Sequence, residues 1–486
     1  MTGVARWHEI YRENVLMPDY RFASQHLAPH FLDAMTAHVR TVKRLPDAKV
    51  RSHQPEIARL EAALAALRHE PLPRYDTEVP DLYFAFNARL EGGLGREVVS
   101  FLRMGLSRND LDMTVYKMRT RELLLDIIER VCALRRALLN QASTHVETVF
   151  IAQTHHQPGQ PTTVAHYLAA VDNVLARDLE RLLEAYARLN TCPLGAAALA
   201  GSSHPLDRHY TAELLGFDAP VSNTYDAVAA SDWQVEFATN MQSVALTLSR
   251  FVCDLLIWTS QGLYVLAEGL VQGSSIMPQK RNPVVLEHAR TRFSRALGSS
   301  QMMLYSSHNI PFADLNDFGP DIQGALISLF IQLRGGLELV TVSLEEGAFD
   351  LAKLAELVRC TDTTATELAD ELTRRCEVSF QEAHRLAGEL VKRLCEQGRN
   401  LQEATSSDLV TLGGPELEDE VLKEALDAAT FVRRRYGFGG PAPEAVGEHV
   451  AQAVQRLGTI TDSLEQKRET LQRVRENLSA PEKERE

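Results

Sequence analysis

The chain has 486 residues, of which 45% are hydrophobic and 24% are charged, and its formal net charge is −14. This length exceeds what one hydrophobic core normally serves, so two or three domains are expected. The acidic balance argues against a nucleic-acid partner, and no apolar run of membrane-spanning length is evident, so neither a nucleic acid nor a membrane is predicted as a partner.

The cysteines and histidines give no sign of a metal centre. Six dispersed cysteines without a CxxC pair are typical of small buried side chains in a reducing compartment. Sixteen histidines occur without an HExxH motif, so we predict no metal and no cofactor. The first residues lack the apolar core of a signal peptide, which makes the cytoplasm the expected location.

The first hundred residues are predicted to be helical. Residues 56–67 combine strong helix formers with leucines at helical spacing. Ser107 or Asn109 is the expected cap of the helix that follows. Arg108 and Asn109 could present a guanidinium fork and a carboxamide to a substrate carboxylate, and the alternative is an ordinary helix entry.

Long amphipathic helices come next. Apolar residues recurring every three or four positions predict helices over about residues 111–147 and 162–189. Residues 153–161 between them contain two prolines and a glycine, so a loop is predicted there. Ser231 and Gln234 have the spacing of a capping box, which predicts a third long helix from Asp232 to about Trp258.

Residues 273–283, with the sequence GSSIMPQKRNP, are predicted to form a loop because their prolines exclude a regular helix or strand. The two serines, Lys280 and Asn282 could grip a carboxylate and move a proton beside it. On composition alone, a polar connecting loop is the simpler interpretation. Two further helices are expected after the loop, which completes a bundle whose helix lengths suggest an oligomeric core.

This loop closely resembles the signature GSSxMPxKxNP of the fumarase/aspartase superfamily. Further segments resemble argininosuccinate lyases in the same order along the chain, and they are residues 107–110, 154–161, 365–370 and 378–384. The resemblance covers about residues 80–390. It implies an all-α fold of three domains around a central bundle of long helices, and a homotetramer in which each active site is shared between subunits.

The expected domains follow from the predicted helices together with this resemblance. Residues 1–108 form an N-terminal helical domain, and residues 109–354 form the central bundle that carries the signature loop. Residues 355–486 form a C-terminal helical domain, whose charged tail from Ala480 is predicted to be disordered.

The resemblance also implies a carbon–nitrogen lyase that eliminates an amine from an N-substituted aspartate to give fumarate. Ser274 is then the base, and Lys280 with the loop amides would lower the pKa of its hydroxyl. His155, held by Glu287, is the candidate proton donor or electrostatic partner for the leaving amine. The residues predicted to bind substrate are Ser107, Arg108, Asn109, Thr154, Gln157, Ser275, Met277 and Asn282.

Several positions depart from the argininosuccinate lyase pattern. Those lyases have roughly TYNKDLQEDK where this chain has residues 310–319, and the tyrosine, glutamine and final lysine that hold the arginine part are replaced. A site that has lost such donors should change its specificity, so the leaving amine is predicted not to be arginine. The changed positions are Tyr83, Ser231, Pro311, Asn316 and Gly319.

Other functions remain open at this point. The amine could be a diamine, another amino acid or a nitrogen-oxide group, as in nitrosuccinate lyases. A true argininosuccinate lyase with a rewired pocket is the main alternative. A non-catalytic relative or a helical scaffold is disfavoured, because Ser274, Lys280, Asn282 and His155 are all present.

Overall fold

The computed structural model describes residues 7–480, which are mostly helical. The N-terminal part consists of short and medium helices, together with a π-helical turn at Arg12–Leu16 and a 3-10 turn at Ser100–Arg103. Its helices are α1 (Glu9–Tyr11), α2 (Met17–His26), α3 (Ala28–Lys43), α4 (Ala48–Ser52), α5 (Gln54–Leu67), α6 (Leu82–Leu94) and α7 (Arg96–Val99).

The helix predicted over residues 56–67 is confirmed as α5. Its residues Ile57, Leu60 and Leu64 are completely buried on the face that packs against α3. The spacing of these three residues places them on one side of a helix, so burial of that side stabilises both helices.

The central part contains the long helices and two short ones, with a 3-10 turn at Glu268–Leu270. Its helices are α8 (Arg108–Thr144), α9 (Val164–Leu189), α10 (Arg208–Leu214), α11 (Thr224–Ala229), α12 (Asp232–Ser260), α13 (Val284–Ser306) and α14 (Pro320–Glu345). The five long ones form the predicted bundle: α8 packs against α9 and α14, while α13 packs against α12 and α14.

A buried ion pair joins α8 to α9. Arg135 donates from Nε and Nη2 to the two carboxylate oxygens of Asp172, over 2.8 and 3.0 Å. Both side chains are almost fully buried. Removal of either member alone would destabilise the fold, because the other would remain as an uncompensated buried charge.

The start of α12 is confirmed at Asp232, but the predicted capping box is wrong. The Ser231 side chain makes no capping hydrogen bond. Gln234 is fully buried, and its Nε2 donates instead to the carbonyl oxygen of Phe318 over 2.8 Å. A buried carboxamide needs a partner, and the tertiary structure provides it just before α14 rather than at the cap.

The predicted loop at residues 153–161 lies in a β-hairpin. Strand β1 (Val149–Thr154) pairs antiparallel with β2 (Gln157–Thr163), and a bulge interrupts the register between Ile151 and Gln153. The prolines do exclude a helix here, as the sequence indicates. They are compatible with a two-stranded hairpin. Each strand pairs on one side only, so a proline whose missing N–H group would face away from the partner strand costs no hydrogen bond.

Two other pairs of very short strands connect parts of the chain. Strand β3 (Thr191–Cys192) pairs parallel with β4 (Ala219–Pro220), and β5 (Tyr264–Val265) pairs antiparallel with β6 (Ala348–Phe349). Through the second pair, the segment after α12 is tied to the segment after α14. The ends of the bundle are thereby held at a fixed distance.

The C-terminal part begins after β6 and includes a 3-10 turn at Leu401–Glu403. Its helices are α15 (Leu351–Arg359), α16 (Ala365–Arg375), α17 (Phe380–Glu396), α18 (Ser406–Thr411), α19 (Asp419–Leu426), α20 (Ala428–Arg433) and α21 (Pro443–Ser479). Residues 368–426 share a hydrophobic core of their own. By contrast, α21 leaves that core and packs along α8, so it belongs by contact to the main core.

The domain limits given above stay predictions. The charged tail predicted to be disordered lies outside the described residues beyond Ala480.

Two bundle helices, α12 and α14, are long and apolar enough to cross a membrane by length and composition alone. This differs from the expectation that the chain has no apolar run of membrane-spanning length. About half or less of each apolar window is buried within the single chain. A core helix of a soluble protein passes the same test, so this finding indicates apolar bundle surfaces and is weak evidence for a membrane.

A buried histidine makes the stability of the N-terminal part sensitive to acid. His38 on α3 is 1% exposed, its Nε2 has no hydrogen-bond partner among the described residues, and burial lowers its pKa to about 4. Between pH 6.5 and about 4 the unfolded chain therefore holds a proton that the folded chain lacks. The free energy of unfolding should fall as the pH decreases through this window, by up to about 1.4 kcal/mol per pH unit from this group.

We expect the His38→Gln variant to lose this contribution, so that its stability falls less steeply with acid than that of the wild type. Urea unfolding at several pH values between 7 and 4 measures the two slopes. The exposed His69→Gln variant is the control and should keep the wild-type slope. Equal slopes for His38→Gln and the wild type would contradict the prediction.

Candidate active site

The predicted site residues occupy three separate places in the chain: the start of α8, the turn of the β-hairpin and the loop before α13. Among residues 7–480, no hydrogen bond or ion pair connects one of these places to another. The assignment of these residues to one active site therefore stays a prediction.

The start of α8 is fixed by a capping box. Of the two predicted candidates, Ser107 and not Asn109 is the N-cap, and the Ser107 backbone N–H donates to Asp110 Oδ1 over 3.0 Å. The other oxygen of Asp110 accepts from the backbone N–H groups of Gly195 and Ala197, over 2.8 and 2.9 Å. Asp110 is fully buried, and burial raises its pKa to about 6.

Arg108 is already held by carboxylates. Its Nη1 lies 2.8 Å from Asp81 Oδ2, and its Nε donates to Asp112 Oδ2 over 3.0 Å. Burial raises the pKa of Asp112 to about 7, although Arg108 opposes that shift. A substrate carboxylate that binds Arg108 must therefore compete with two carboxylates of the chain itself.

Asn109 is also occupied. Its carboxamide oxygen accepts from the Ser107 hydroxyl over 2.6 Å, and its Nδ2 donates to the carboxylate of Asp314. Asp314 belongs to residues 310–319, the segment that departs from the argininosuccinate lyase pattern. The structure thus connects the Ser-Arg-Asn-Asp segment directly to the segment that departs from the argininosuccinate lyase pattern.

The hairpin turn consists of His155 and His156, between the paired residues Thr154 and Gln157. Both histidines have a positive φ, of 53° and 60°. A two-residue turn with positive φ at both positions suits the strand twist, but it favours glycine and asparagine. Two histidines here are strained, and such strain is often found at functional sites.

Aromatic packing and polar contacts hold this hairpin in place. Phe150 on β1 packs edge-to-face on Trp258 of α12, with ring centroids 5.2 Å apart. From β2, Gln160 Nε2 donates to Thr366 Oγ1 of α16 over 3.3 Å. The hairpin therefore rests on the bundle on one side and on the C-terminal part on the other.

His155 lines a cavity of about 590 Å³. Tyr167 and Asp254, which are hydrogen bonded to each other, line the same cavity. So does Arg435, whose Nη1 donates to Glu367 over 2.8 Å. No sequence pattern indicates Arg435, because it lies 280 residues from His155 and only the fold brings the two onto one cavity.

Residues 273–283 form a loop, as predicted, and a backbone bridge closes it. The N–H of Gln272 donates to the carbonyl oxygen of Asn282 over 2.9 Å, and the reverse bond measures 2.8 Å. Arg281 also anchors the loop, because it forms an ion pair with Glu268 and donates to the Leu266 carbonyl oxygen over 3.1 Å. The tip between these anchors is exposed.

The hydroxyl oxygen of Ser274 faces the amides of its own loop. It accepts from the backbone N–H groups of Ile276 and Met277, over 3.4 and 3.2 Å. Donors that point at an oxygen stabilise its negative form, which is what a serine base requires. The Lys280 side chain is exposed and forms no ion pair with a described residue, so it is available to a substrate carboxylate.

Other predicted residues of this region are also exposed or partly exposed. Glu287 lies in the first turn of α13 and is exposed, Ser275 is exposed, and Met277 is 37% exposed. Glu287 makes no hydrogen bond with His155 within the described chain, so that pair stays a prediction.

The sequence comparisons agree with this geometry. Residues 31–298 match the family profile described as "Lyase", and residues 362–433 match the profile described as "Argininosuccinate lyase C-terminal". Argininosuccinate lyase 2 of Agrobacterium fabrum is 33% identical over 93% of this chain and 91% of its own length. The argininosuccinate lyase of Methanocorpusculum labreanum is 35% identical over 82% of each chain.

The fold comparisons point the same way. A structure of EDDS lyase in complex with formate has a TM-score of 0.85 and 28% identity, and covers 98% of this chain and 95% of its own. A structure of an EDDS lyase variant with bound fumarate has a TM-score of 0.84 with the same identity and coverage. A class II fumarase from Schistosoma mansoni shares the fold, with a TM-score of 0.68 and 16% identity.

The signature loop, the long-helix bundle and these relatives together confirm the predicted all-α fold class and the predicted enzyme class. The chain belongs to the fumarase/aspartase superfamily, among its argininosuccinate-lyase-like members, and it is a carbon–nitrogen lyase.

Proposed function

We propose that this lyase eliminates an amine other than arginine from an N-substituted aspartate and releases fumarate, in the cytoplasm and as a homotetramer. The observation that carries the proposal is the segment at residues 310–319. It contains no cationic side chain, and it presents Asp314 to Asn109. The α-carboxylate of an arginine would find no cationic side chain in this segment to replace the lost lysine.

The reaction requires removal of a weakly acidic Cβ proton and stabilisation of the resulting aci-carboxylate. Ser274 would take the proton, because its oxygen is already oriented towards two loop amides. Lys280 and Asn282, with Thr154 and Ser275, would hold the carboxylate that gains charge. His155, with Glu287, would face the departing amine.

The exposed tip of the loop supports a role in closure. Ile276 is 84% exposed although it is a large apolar residue. Cover by substrate or by another subunit would remove that surface from water, and closure would exclude water from the reaction.

Apolar residues on the bundle helices support the tetramer. Leu246 on α12, Met302 and Tyr305 on α13 and Ile331 on α14 are each about half exposed or more. Exposed apolar residues along helices of this length are typical of surfaces that pack between subunits.

The substrate proposal is tested by the ultraviolet absorbance of fumarate. We expect kcat/KM for argininosuccinate to be at least about 100-fold below that for the best N-succinyl amine, because the donors for arginine are lost. The best amine is found from the reverse reaction, in which fumarate is consumed by a panel of amines. Rapid release of fumarate from argininosuccinate would favour the alternative, which the names of the relatives support: a true argininosuccinate lyase with a rewired pocket.

The base assignment is tested by Ser274→Ala. We expect turnover to fall by about 10² to 10⁴, since a positioned base contributes that much. The exposed Ser52→Ala variant is the matched control and should keep the wild-type rate. Near-normal fumarate release by Ser274→Ala would exclude Ser274 as the base.

The two turn histidines provide a matched pair of variants. His155→Gly and His156→Gly should each raise the free energy of unfolding by about 0.5–1 kcal/mol, because glycine relieves a strained positive φ. Turnover should fall by at least about 100-fold for His155→Gly and stay near normal for His156→Gly. Urea unfolding and fumarate release measure both effects, and an unchanged rate for His155→Gly would reduce that residue to a structural one.

The tetramer is tested by light scattering on the purified chain. We expect a molar mass four times the 54.2 kDa of one chain. Mixing the Ser274→Ala and His155→Gly enzymes should restore part of the activity. In a mixed tetramer, a shared site can take an intact His155 from a Ser274→Ala subunit and an intact Ser274 from a His155→Gly subunit. A monomer with full activity would contradict the shared site.

A further inference from the structure

We propose that a groove between α8, α14 and α21 binds an organic dianion, at a site separate from the proposed active site. The groove is a cavity of about 560 Å³, a size typical of sites for small organic molecules. Among the described residues that line it, none is predicted to act on the substrate. Its Arg121 lies thirteen residues after Arg108 on α8, which corresponds to about 20 Å along the helix.

The lining of the groove carries an excess of two positive charges, although the whole chain is acidic. Each lining carboxylate is ion paired with an arginine of the same lining, so none of them is left to balance the excess. Guanidinium groups bind phosphate and carboxylate well, so this excess suits a ligand with two negative charges. The charged lining residues are Arg119, Arg121, Arg334, Arg468 and Arg475, with Asp33, Glu122 and Asp126.

The ion-paired neighbours outside the lining do not cancel this excess. Arg68 pairs with Asp33, and Arg130 pairs with Asp126. They are balanced by Glu129 beside Arg468 and by Glu338 beside Arg334. His30, whose Nε2 lies 3.3 Å from Glu122, could only add positive charge by taking up a proton.

Arg121 is a buried cation without an opposite charge. Its side chain is 4% exposed, and it forms no ion pair with a residue in the described range. Its Nη1 donates to Asn190 Oδ1 and to the Gly216 carbonyl oxygen over 2.8 and 2.9 Å, and its Nη2 donates to the Leu215 carbonyl oxygen over 3.0 Å. Its Nε has no hydrogen-bond partner among the described residues. Buried charges are normally paired, and an anion in the groove would supply the missing charge.

Arg119 and Arg468 can add donors from two sides of the groove. Arg119 Nε is buried without a partner among the described residues, and its Nη1 makes only a long bond of 3.4 Å to Glu122 Oε2. Across the groove on α21, Arg468 pairs with Glu129 over 2.8 Å, and both side chains are about half exposed. Exposed ion pairs of this kind contribute little to stability, so Arg468 can turn towards a bound anion at small cost.

Apolar side chains complete the lining, which favours an organic ligand over an inorganic ion. Met118, Leu123, Phe330 and Leu471 all face the groove. They would cover a ring or a short carbon chain and remove it from water. A free phosphate ion would use the arginines and leave this apolar part of the cavity unfilled.

The test uses three anions that share a benzene ring. Phenyl phosphate and phthalate carry two negative charges near pH 8, and benzenesulfonate carries one. Isothermal titration calorimetry is done in saturating fumarate, which occupies the proposed active site. We expect the Kd of the better dianion to be at least about tenfold below that of benzenesulfonate, because the second charge adds charge-assisted hydrogen bonds. Tighter binding of phenyl phosphate would identify phosphate esters as the ligands, and tighter binding of phthalate would identify dicarboxylates.

Variants of the groove decide where the dianion binds. Arg119→Gln and Arg468→Gln should each weaken its binding at least about fivefold, since each removes a charged donor. Arg121 is left intact because its donors also hold the backbone just after α10. The control is Arg473→Gln, which removes an exposed arginine of α21 that does not line the groove and should keep the wild-type affinity.

Three results would overturn the inference. The first is equal affinity of the wild type for all three anions, or no binding of any of them. The second is unchanged binding of the dianion in both groove variants, which would place the ligand elsewhere. The third is an equal loss in Arg473→Gln, which would reduce the effect to the net charge of the protein.

Discussion

The buried carboxylate of Asp110 is the constraint on which the site depends. It accepts three hydrogen bonds, from the backbone N–H groups of Ser107, Gly195 and Ala197. These bonds fix the first turn of α8 against the connector after α9, in which Ala197 has a positive φ of 52°. Removal of such an acceptor would leave buried donors unsatisfied, at a cost of about 1–3 kcal/mol for each. The directions of Arg108 and Asn109 follow from this one carboxylate.

From that turn, a chain of polar contacts crosses the molecule. Arg108 forms ion pairs with Asp81 at the start of α6 and with Asp112 of α8. Asn109 donates a hydrogen bond to Asp314, which lies before α14. The N-terminal part, the bundle and the changed segment thus meet at one acidic place.

Unlike the start of α8, whose charged residues are paired, the hairpin and the signature loop are exposed to solvent. Both leave predicted site residues exposed or partly exposed, and the strained backbone of His155 belongs to a hairpin that packs on Trp258 and on the C-terminal part. Within one chain, neither meets the start of α8. In the proposed tetramer, other subunits would cover the half-exposed apolar residues of the bundle helices.

The sequence by itself determined the long helices, a start of α8 capped by Ser107 or Asn109, the break at residues 153–161 and the signature loop. These features depend on periodicity, capping and proline, which act between residues close in the chain. The i,i+4 spacing of Arg108 and Asp112 was also visible, and it could have indicated their ion pair.

Only the tertiary structure decided what depends on distant residues. The partner of Gln234 is a carbonyl before α14, the break became a hairpin because β2 can pair with β1, and Arg435 joined the cavity of His155. A cavity of about 220 Å³ brings Asp19 of α2, Asp112 of α8 and Asp321 of α14 together from three regions of the sequence. Such contacts arise from the packing of whole helices, which no local pattern encodes.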